Sequence, residues 1–232
     1  LRATFPWGQV MRNYIKKSIY LIVFIGFSSV NAGSFEDFFS AIQRDDPQSL
    51  SALLRRGFDP NTLDAKGQSG LFLALRDPSP KVVEVLLKAP KIKVETRTPQ
   101  DESPLMMAAM RGELKLAAAL IDKDADVNKT GWTPLHYAAS STQGDQLGVA
   151  KLLLENAAYI DAASPNGSTP LMMAAMYGNT STLKLLLDEG ADPTLKNQLG
   201  LTAVDFAQRA DRKEMVELIG AAIRARQPKG KW

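Results

Sequence analysis

The chain has 232 residues, 45% of them apolar and 23% charged, enough material to bury a sizeable core by packing alone. With no Cys and a single His, disulfides, thiol chemistry and a zinc site built on Cys or on several His are excluded. The formal charge of +3 resides in the ends: Arg2, Arg12, Lys16 and Lys17 lie in residues 1–32 with no acid, and Arg224, Arg226, Lys229 and Lys231 lie in the last nine positions. Without the first four the balance is −1, and without all eight the body stands at −5, so the basic pI makes no case for nucleic acid.

The first element reads as a targeting segment. Met11 to Lys17 is a basic start, Ser18 to Phe27 is apolar, and Ser28 to Ala32 ends in small residues at alternate positions, the order of a secretory leader with its cleavage site. This predicts Met11 as initiator, Leu1 to Val10 as an upstream translated segment, a leader over 11–32 and a cut after Ala32. The apolar run is short for a bilayer; an uncleaved inner-membrane anchor is the alternative. No Cys follows it, which excludes a lipoprotein anchor. The short, Lys-led form is that of a bacterial export signal and predicts a periplasmic or secreted product.

Beyond the leader one phrase recurs: Ser69-Gly-Leu-Phe-Leu-Ala-Leu, Ser103-Pro-Leu-Met-Met-Ala-Ala, Thr133-Pro-Leu-His-Tyr-Ala-Ala, Thr169-Pro-Leu-Met-Met-Ala-Ala and Thr202-Ala-Val-Asp-Phe-Ala-Gln. Its second residue falls at 70, 104, 134, 170 and 203, giving steps of 34, 30, 36 and 33. An apolar pair follows the first four phrases at Leu86-Leu87, Leu120-Ile121, Leu153-Leu154 and Leu186-Leu187, and Ala125-Asp-Val-Asn128 or a relative of it recurs after the pairs. Phe58-Asp-Pro-Asn61 betrays an earlier, degenerate unit, with Ala41 at the position of the first phrase Ala and Leu53-Leu54 as its apolar pair.

A period near 33 carrying T-P-L-H-x-A resembles the ankyrin repeat, and the chain as a whole resembles a bacterial exported ankyrin-repeat protein. The resemblance implies an all-α solenoid of about six helix-turn-helix-hairpin units over 33–227, at about 34–67, 68–101, 102–130, 131–167, 168–200 and 201–227, with a basic tail over 228–232. The Thr-Pro of the phrase starts the first helix of a unit, the hydroxyl capping free N–H groups and Pro lacking a donor that would be orphaned. The Ala pair lets neighbouring first helices approach. Gly112 and Gly178 are expected to end first helices in a left-handed conformation. The Leu pairs fill the seam, and polar ends cap the stack: Glu36, Asp37, Gln43 and Arg44 at one end, Arg209, Arg212, Lys213, Glu214 and Glu217 at the other. Phe35, Phe38 and Phe39 are expected to face inward onto Leu53 and Leu71. The short step has lost residues at Lys129-Thr-Gly131, and the long one has gained them at Ser140 to Gln146.

Catalytic signatures are weak. His136 sits at the fourth phrase position, where its ring is expected to bond neighbouring loop backbone. Asp122 to Asp126 imitates the opening of a calcium loop, but Val127 and Thr133 stand where Gly and Glu are needed. Ser181-Thr-Leu-Lys184 and Lys129-Thr-Gly131 match fragments of penicillin-binding enzymes in the wrong order. No cofactor, metal or catalytic residue is expected. The expected function is non-catalytic binding of another protein, as scaffold, protector or inhibitor, by a monomer that touches membrane only through its leader. An enzyme accessory or a small-molecule-binding stack is the alternative.

In ankyrin arrays partners are met by hairpin tips and exposed first-helix residues. Carried onto this chain, the resemblance implies Ala65, Lys66, Gln68, Arg76 and Asp77; Pro99, Gln100, Glu102, Met110 and Arg111; Trp132, Ser140 and Ser141; Pro165, Asn166, Ser168, Met176 and Tyr177; and Gln198, Leu199, Leu201, Arg209 and Ala210. The expected partner site centres on Glu102, Met110, Arg111, Trp132, Asn166, Met176 and Tyr177, side chains of the kinds found at interface hot spots. Met107 and Met173 are expected to be semi-buried packing.

Overall fold

The computed structural model describes residues 33–226; the predicted upstream segment, leader and basic tail lie outside the described residues. Twelve helices follow one another: α1 (33–43), α2 (Pro47–Arg55), α3 (Gly70–Arg76), α4 (Pro80–Lys88), α5 (Pro104–Arg111), α6 (Leu114–Ile121), α7 (Pro134–Ala139), α8 (Gln146–Glu155), α9 (Pro170–Met176), α10 (Thr180–Asp188), α11 (Ala203–Arg209) and α12 (Lys213–Arg226). They form six antiparallel pairs stacked in two rows. α3, α5, α7, α9 and α11 pack in sequence along one row, and α6, α8, α10 and α12 along the other. No described helix is long and apolar enough to cross a membrane.

Each first helix from α3 on opens as its sequence demands. The hydroxyls of Ser69, Ser103, Thr133, Thr169 and Thr202 accept the N–H three residues on. The fourth phrase residue answers: the N–H of Ser103 reaches the Met106 sulfur at 3.4 Å, that of Thr133 reaches His136 Nδ1 at 3.2 Å, and that of Thr202 reaches the Asp205 carboxylate at 2.7 Å. Three chemically different side chains thus do the same job, satisfying a donor left over at a helix start. Gly70 replaces Pro because a Cβ there would lie 2.7 Å from Ile42 and 2.8 Å from Phe38.

Second helices close on a left-handed residue at Gly57, Asp124, Ala157 and Gly190. The next N–H donates back to the carbonyl of Leu53, Leu120, Leu153 or Leu186 at 2.8–3.1 Å, which satisfies orphan carbonyls of the last turn. Gly112 is left-handed as expected, with φ 64°. Gly178 is not. It is Gly for want of space, since a Cβ would sit 2.2 Å from the Ala139 carbonyl oxygen of the preceding unit.

The core is the seam. Leu120, Leu153 and Leu186 are wholly buried, as are Ala108, Ala109, Ala138, Ala139, Ala174 and Ala175. At the last pair Gln208 takes the place of the second Ala and Gly220 that of the second seam Leu, so the outer face is polar and small where inner faces are apolar. Arg212 departs from its expected outer position: its guanidinium reaches back to the Ala174 carbonyl at 3.2 Å. At the other end only Phe38 is fully buried; Phe39 is half-buried and Phe35 is 38% exposed, its ring edge-on to Phe39 at 4.9 Å. Spaced i, i+3 and i+4, the three rings share one helix face; Phe38 packs into the seam while Phe35 and Phe39 border an open groove beside α3.

Side chains in the loops clamp each unit to the next. Asn61 bonds the backbone of Lys91 and Lys93, Glu95 accepts from Asp126 N–H at 2.9 Å, Asn128 bonds Ala157 and Tyr159, and Asp161 accepts from Asp192 N–H at 3.0 Å. Four connections also carry a hairpin tip, closed by Asp64, Thr98, Ser164 and Asn197 bonding the residue four further on. The shortened loop at Lys129 to Gly131 lacks this tip. There the Lys129 ammonium turns back to the tip before it, bonding the Asp101 carbonyl at 2.8 Å and pairing with its carboxylate.

Candidate functional site

The tips, the residue before each first helix, and the fifth and eighth phrase residues share one face. A groove of about 360 Å³ between α1 and α3 makes this visible: Asp64 and Lys66 from a tip, Gln68, the fifth-position Leu73 and the eighth-position Arg76 all line it, with Phe35 and Phe39 closing its end. Carried down the stack by the repeat, the same positions form a strip. Its floor is the fifth phrase residue: Leu73, Met107, Tyr137, Met173 and Phe206. All are apolar or aromatic; Met107 is buried and the other four are half-buried against the core.

The expected partner residues fare differently along this strip. Tyr177 (53% exposed) and Met110 (37% exposed) stand open at the ends of α9 and α5, and Met176 is half-buried beside Tyr177. Trp132 is half-buried, its ring edge against His136 at 5.3 Å. Arg111 is spent within the protein: its Nε donates to Glu113 at 2.6 Å. Asn166 is exposed but structural, its side chain accepting from Ser164 and from Ser168 N–H, its carbonyl from Gln198 N–H. Two implied contacts are corrected. Gln68 is buried under Arg76, accepting from it at 3.0 Å, and Ser168 is buried because its carbonyl receives His136.

Sequence reasoning missed Leu73, Tyr137 and Phe206 on this face; Met107 and Met173, expected as packing, do pack in or against the core. The signal was present in the five phrases: the sixth residue is always Ala, whereas the fifth varies among Leu, Met, Tyr and Phe.

His136 has both ring nitrogens committed. Nδ1 accepts from Thr133 N–H, so Nε2 carries the proton and donates to the Ser168 carbonyl at 2.9 Å. Burial lowers its pKa to about 4, and the backbone bonds to Ser168 and Ala162 oppose this only in part. The imidazole is thus a neutral strut between units. Tyr137 is pushed the other way, up to about 12, by burial and by the Glu102 carboxylate to which its hydroxyl donates at 3.4 Å. Among the described residues no cluster of His, Cys, Asp or Glu is arranged to hold a metal, and the Asp122 to Asp126 run is divided between a helix end and the clamp to Glu95.

Paired helices, capped by a hydroxyl and stacked through Ala and Leu at a 33-residue period, with variable side chains on one face, define a repeat solenoid whose conserved geometry is scaffold and whose open face is for contact. A model of this family, ankyrin repeats in three copies, matches residues 90–164 and 142–226; the chain belongs to the ankyrin-repeat family. It is 36% identical over 150 residues to the nuclear factor NF-kappa-B p105 subunit of Mus musculus, and 28% identical over 186 residues to the B-cell lymphoma 3 protein homolog of Mus musculus. The matches span 62% and 77% of this chain but only 15% and 40% of those proteins. Among solved structures, the chain is similar to the immunity protein in the complex of the predatory endopeptidase Bd0816 from Bdellovibrio bacteriovorus with immunity protein Bd3460. The TM-score is 0.68 and the identity 26%, over 80% of this chain and 97% of that one.

Proposed function

We propose that this chain is a non-catalytic ankyrin protein that captures another protein through its first-helix face and restrains it, as an immunity protein restrains an enzyme. The observation that carries this reading is the strip itself: an apolar floor from Leu73 to Phe206, with Met110 and Tyr177 exposed along its edge. Exposed aromatic and Met side chains on a rigid scaffold contribute free energy when a partner covers them. The similarity to a Bdellovibrio bacteriovorus immunity protein solved with an endopeptidase supports an enzyme, a peptidase above all, as the restrained partner.

The proposal includes export. If Met11 to Ala32 is a cleaved leader, material recovered outside the cytoplasm begins at Gly33; an intact Met11 on membrane-bound protein would establish the anchor instead. Capture tests the binding. Wild-type protein should retain a stoichiometric partner from a periplasmic extract. Trp132→Ala with Tyr177→Ala should weaken that capture by about 2 kcal/mol or more. The fold should survive: Tyr177 is half in solvent, and the loss of the Trp132 ring from His136 costs about 1 kcal/mol. Undiminished capture by the folded double variant would move the interface off this face.

A further inference from the structure

The carboxylates flanking Glu102 along this strip are already engaged. Asp77 holds Arg76 at 2.6 Å, Glu113 holds Arg111 at 2.6 Å, Asp101 holds Lys129, and Glu95 and Asp126 share Arg97 at 2.5 and 3.2 Å. Asp64 is used up by the backbone N–H groups of its own tip. Glu102 is left over. It is half-buried and occupies the strip position just before a first helix, yet among the described residues it makes no ion pair; its side chain receives only the Tyr137 hydroxyl, at 3.4 Å. Arg76 is near enough to feel its charge but is already engaged by Asp77 and Gln68.

The surroundings of Glu102 suit a cation. Tyr137 brings its hydroxyl and the ring behind it to the carboxylate, and Trp132, a half-buried residue, holds the same register position one unit on. A carboxylate with aromatic side chains near it favours an ammonium or guanidinium, whose charge meets the oxygen while its aliphatic stem packs on the rings. A lone carboxylate supplies too few oxygens for a divalent metal.

We propose that Glu102, with Tyr137 and Trp132, receives a lysine or arginine side chain projecting from an otherwise apolar segment of the partner protein. This rests on the protein-binding reading and names its chemistry: the apolar floor takes the flanking residues, and Glu102 takes the charge that fixes their register.

Fluorescence anisotropy of labelled Gly-Leu-Xaa-Leu-Gly peptides on the full chain tests it, with Xaa as arginine, lysine or the uncharged isostere citrulline. The arginine or lysine peptide should bind about five-fold tighter than the citrulline peptide, a preference that shrinks in high salt. In Glu102→Gln the difference should fall within about two-fold, whereas Glu102→Asp, which keeps the charge, retains it. Equal binding of the charged and citrulline peptides, a preference unchanged in Glu102→Gln, or no binding of any peptide overturns the proposal. Partner capture by the same variants separates this from the broader reading. Capture that survives Glu102→Gln but fails in Trp132→Ala with Tyr177→Ala keeps the face and removes the cation site; capture indifferent to both removes the face as well.

Discussion

Between α7 and α9 a neutral imidazole joins two units, with His136 bonded to the start of its own helix and to the Ser168 carbonyl of the next unit. Between α1 and α3 no such strut exists. Phe38 fills the seam instead, stacked on Phe58 at 4.8 Å and lying where a proline ring would otherwise stand at Gly70. The central first-helix contact is directional and hydrogen-bonded through a ring; the first depends on shape. Its unit-to-unit hydrogen bonds lie at the second helix instead, from Ser79 Oγ to the Ile42 carbonyl and from Val82 N–H to the Asp45 carboxylate, each at 2.9 Å. The difference teaches that the repeat imposes a spacing and an orientation but not a chemistry.

The largest effect expected from breaking this comparison comes from seam Leu residues. Leu153→Ala or Leu186→Ala should cost about 2–5 kcal/mol in denaturant unfolding. Because each central unit has neighbours on both sides, that damage should loosen the whole array, whereas Leu53→Ala should open only the first pair. Equal and negligible losses at Leu153 and Leu186 would show that they do not form the seam.

Acid separates the two seams next. The folded pKa of His136, about 4, lies below its unfolded value of about 6.5. The unfolded chain therefore binds the extra proton first. Stability is full above pH 6.5 and falls as pH drops toward 4, by an amount on the order of 3 kcal/mol. His136→Met, which installs the residue found at this position in the units of α5 and α9, should remove the loss in that window. A midpoint falling equally in both proteins between pH 6.5 and 4 would assign it to other groups.

Restoring the missing phrase residue is the third test. Gly70→Pro makes the first phrase match its neighbours yet should destabilise by about 1–3 kcal/mol, because the ring overpacks Phe38 and Ile42. Stabilisation instead would mean that Phe38 can move aside. The smallest effect lies in the loops. Ala157 has φ 60° where Gly57 and Gly190 occupy the corresponding place, so Ala157→Gly should stabilise by about 1 kcal/mol in thermal unfolding.

Much of this fold was legible because its determinants are local. Caps at Thr133 and Thr169, Pro at the next position and the Leu pairs recur at fixed offsets, so period alone places them. What escaped depends on neighbours in space. The absence of Pro at Gly70 follows from a ring 32 residues earlier, and Gly178 is explained by a carbonyl of the preceding unit. Glu102 reads as one more surface acid until Lys129 is seen to pair with Asp101 and Arg97 with Asp126, across 28 and 29 residues. The strip floor was hidden for a different reason: a half-buried fifth residue and a core residue look alike in a list of apolar positions.

Hydrogen–deuterium exchange of the protein with and without its captured partner tests the central claim most directly. Binding through the first-helix face predicts added protection over Leu73 to Asp77, Met107 to Arg111, Trp132 to Tyr137 and Met173 to Tyr177, with the second helices α6, α8 and α10 unchanged. Protection confined to α6, α8 and α10, with the first-helix segments exchanging as in the free protein, would contradict it.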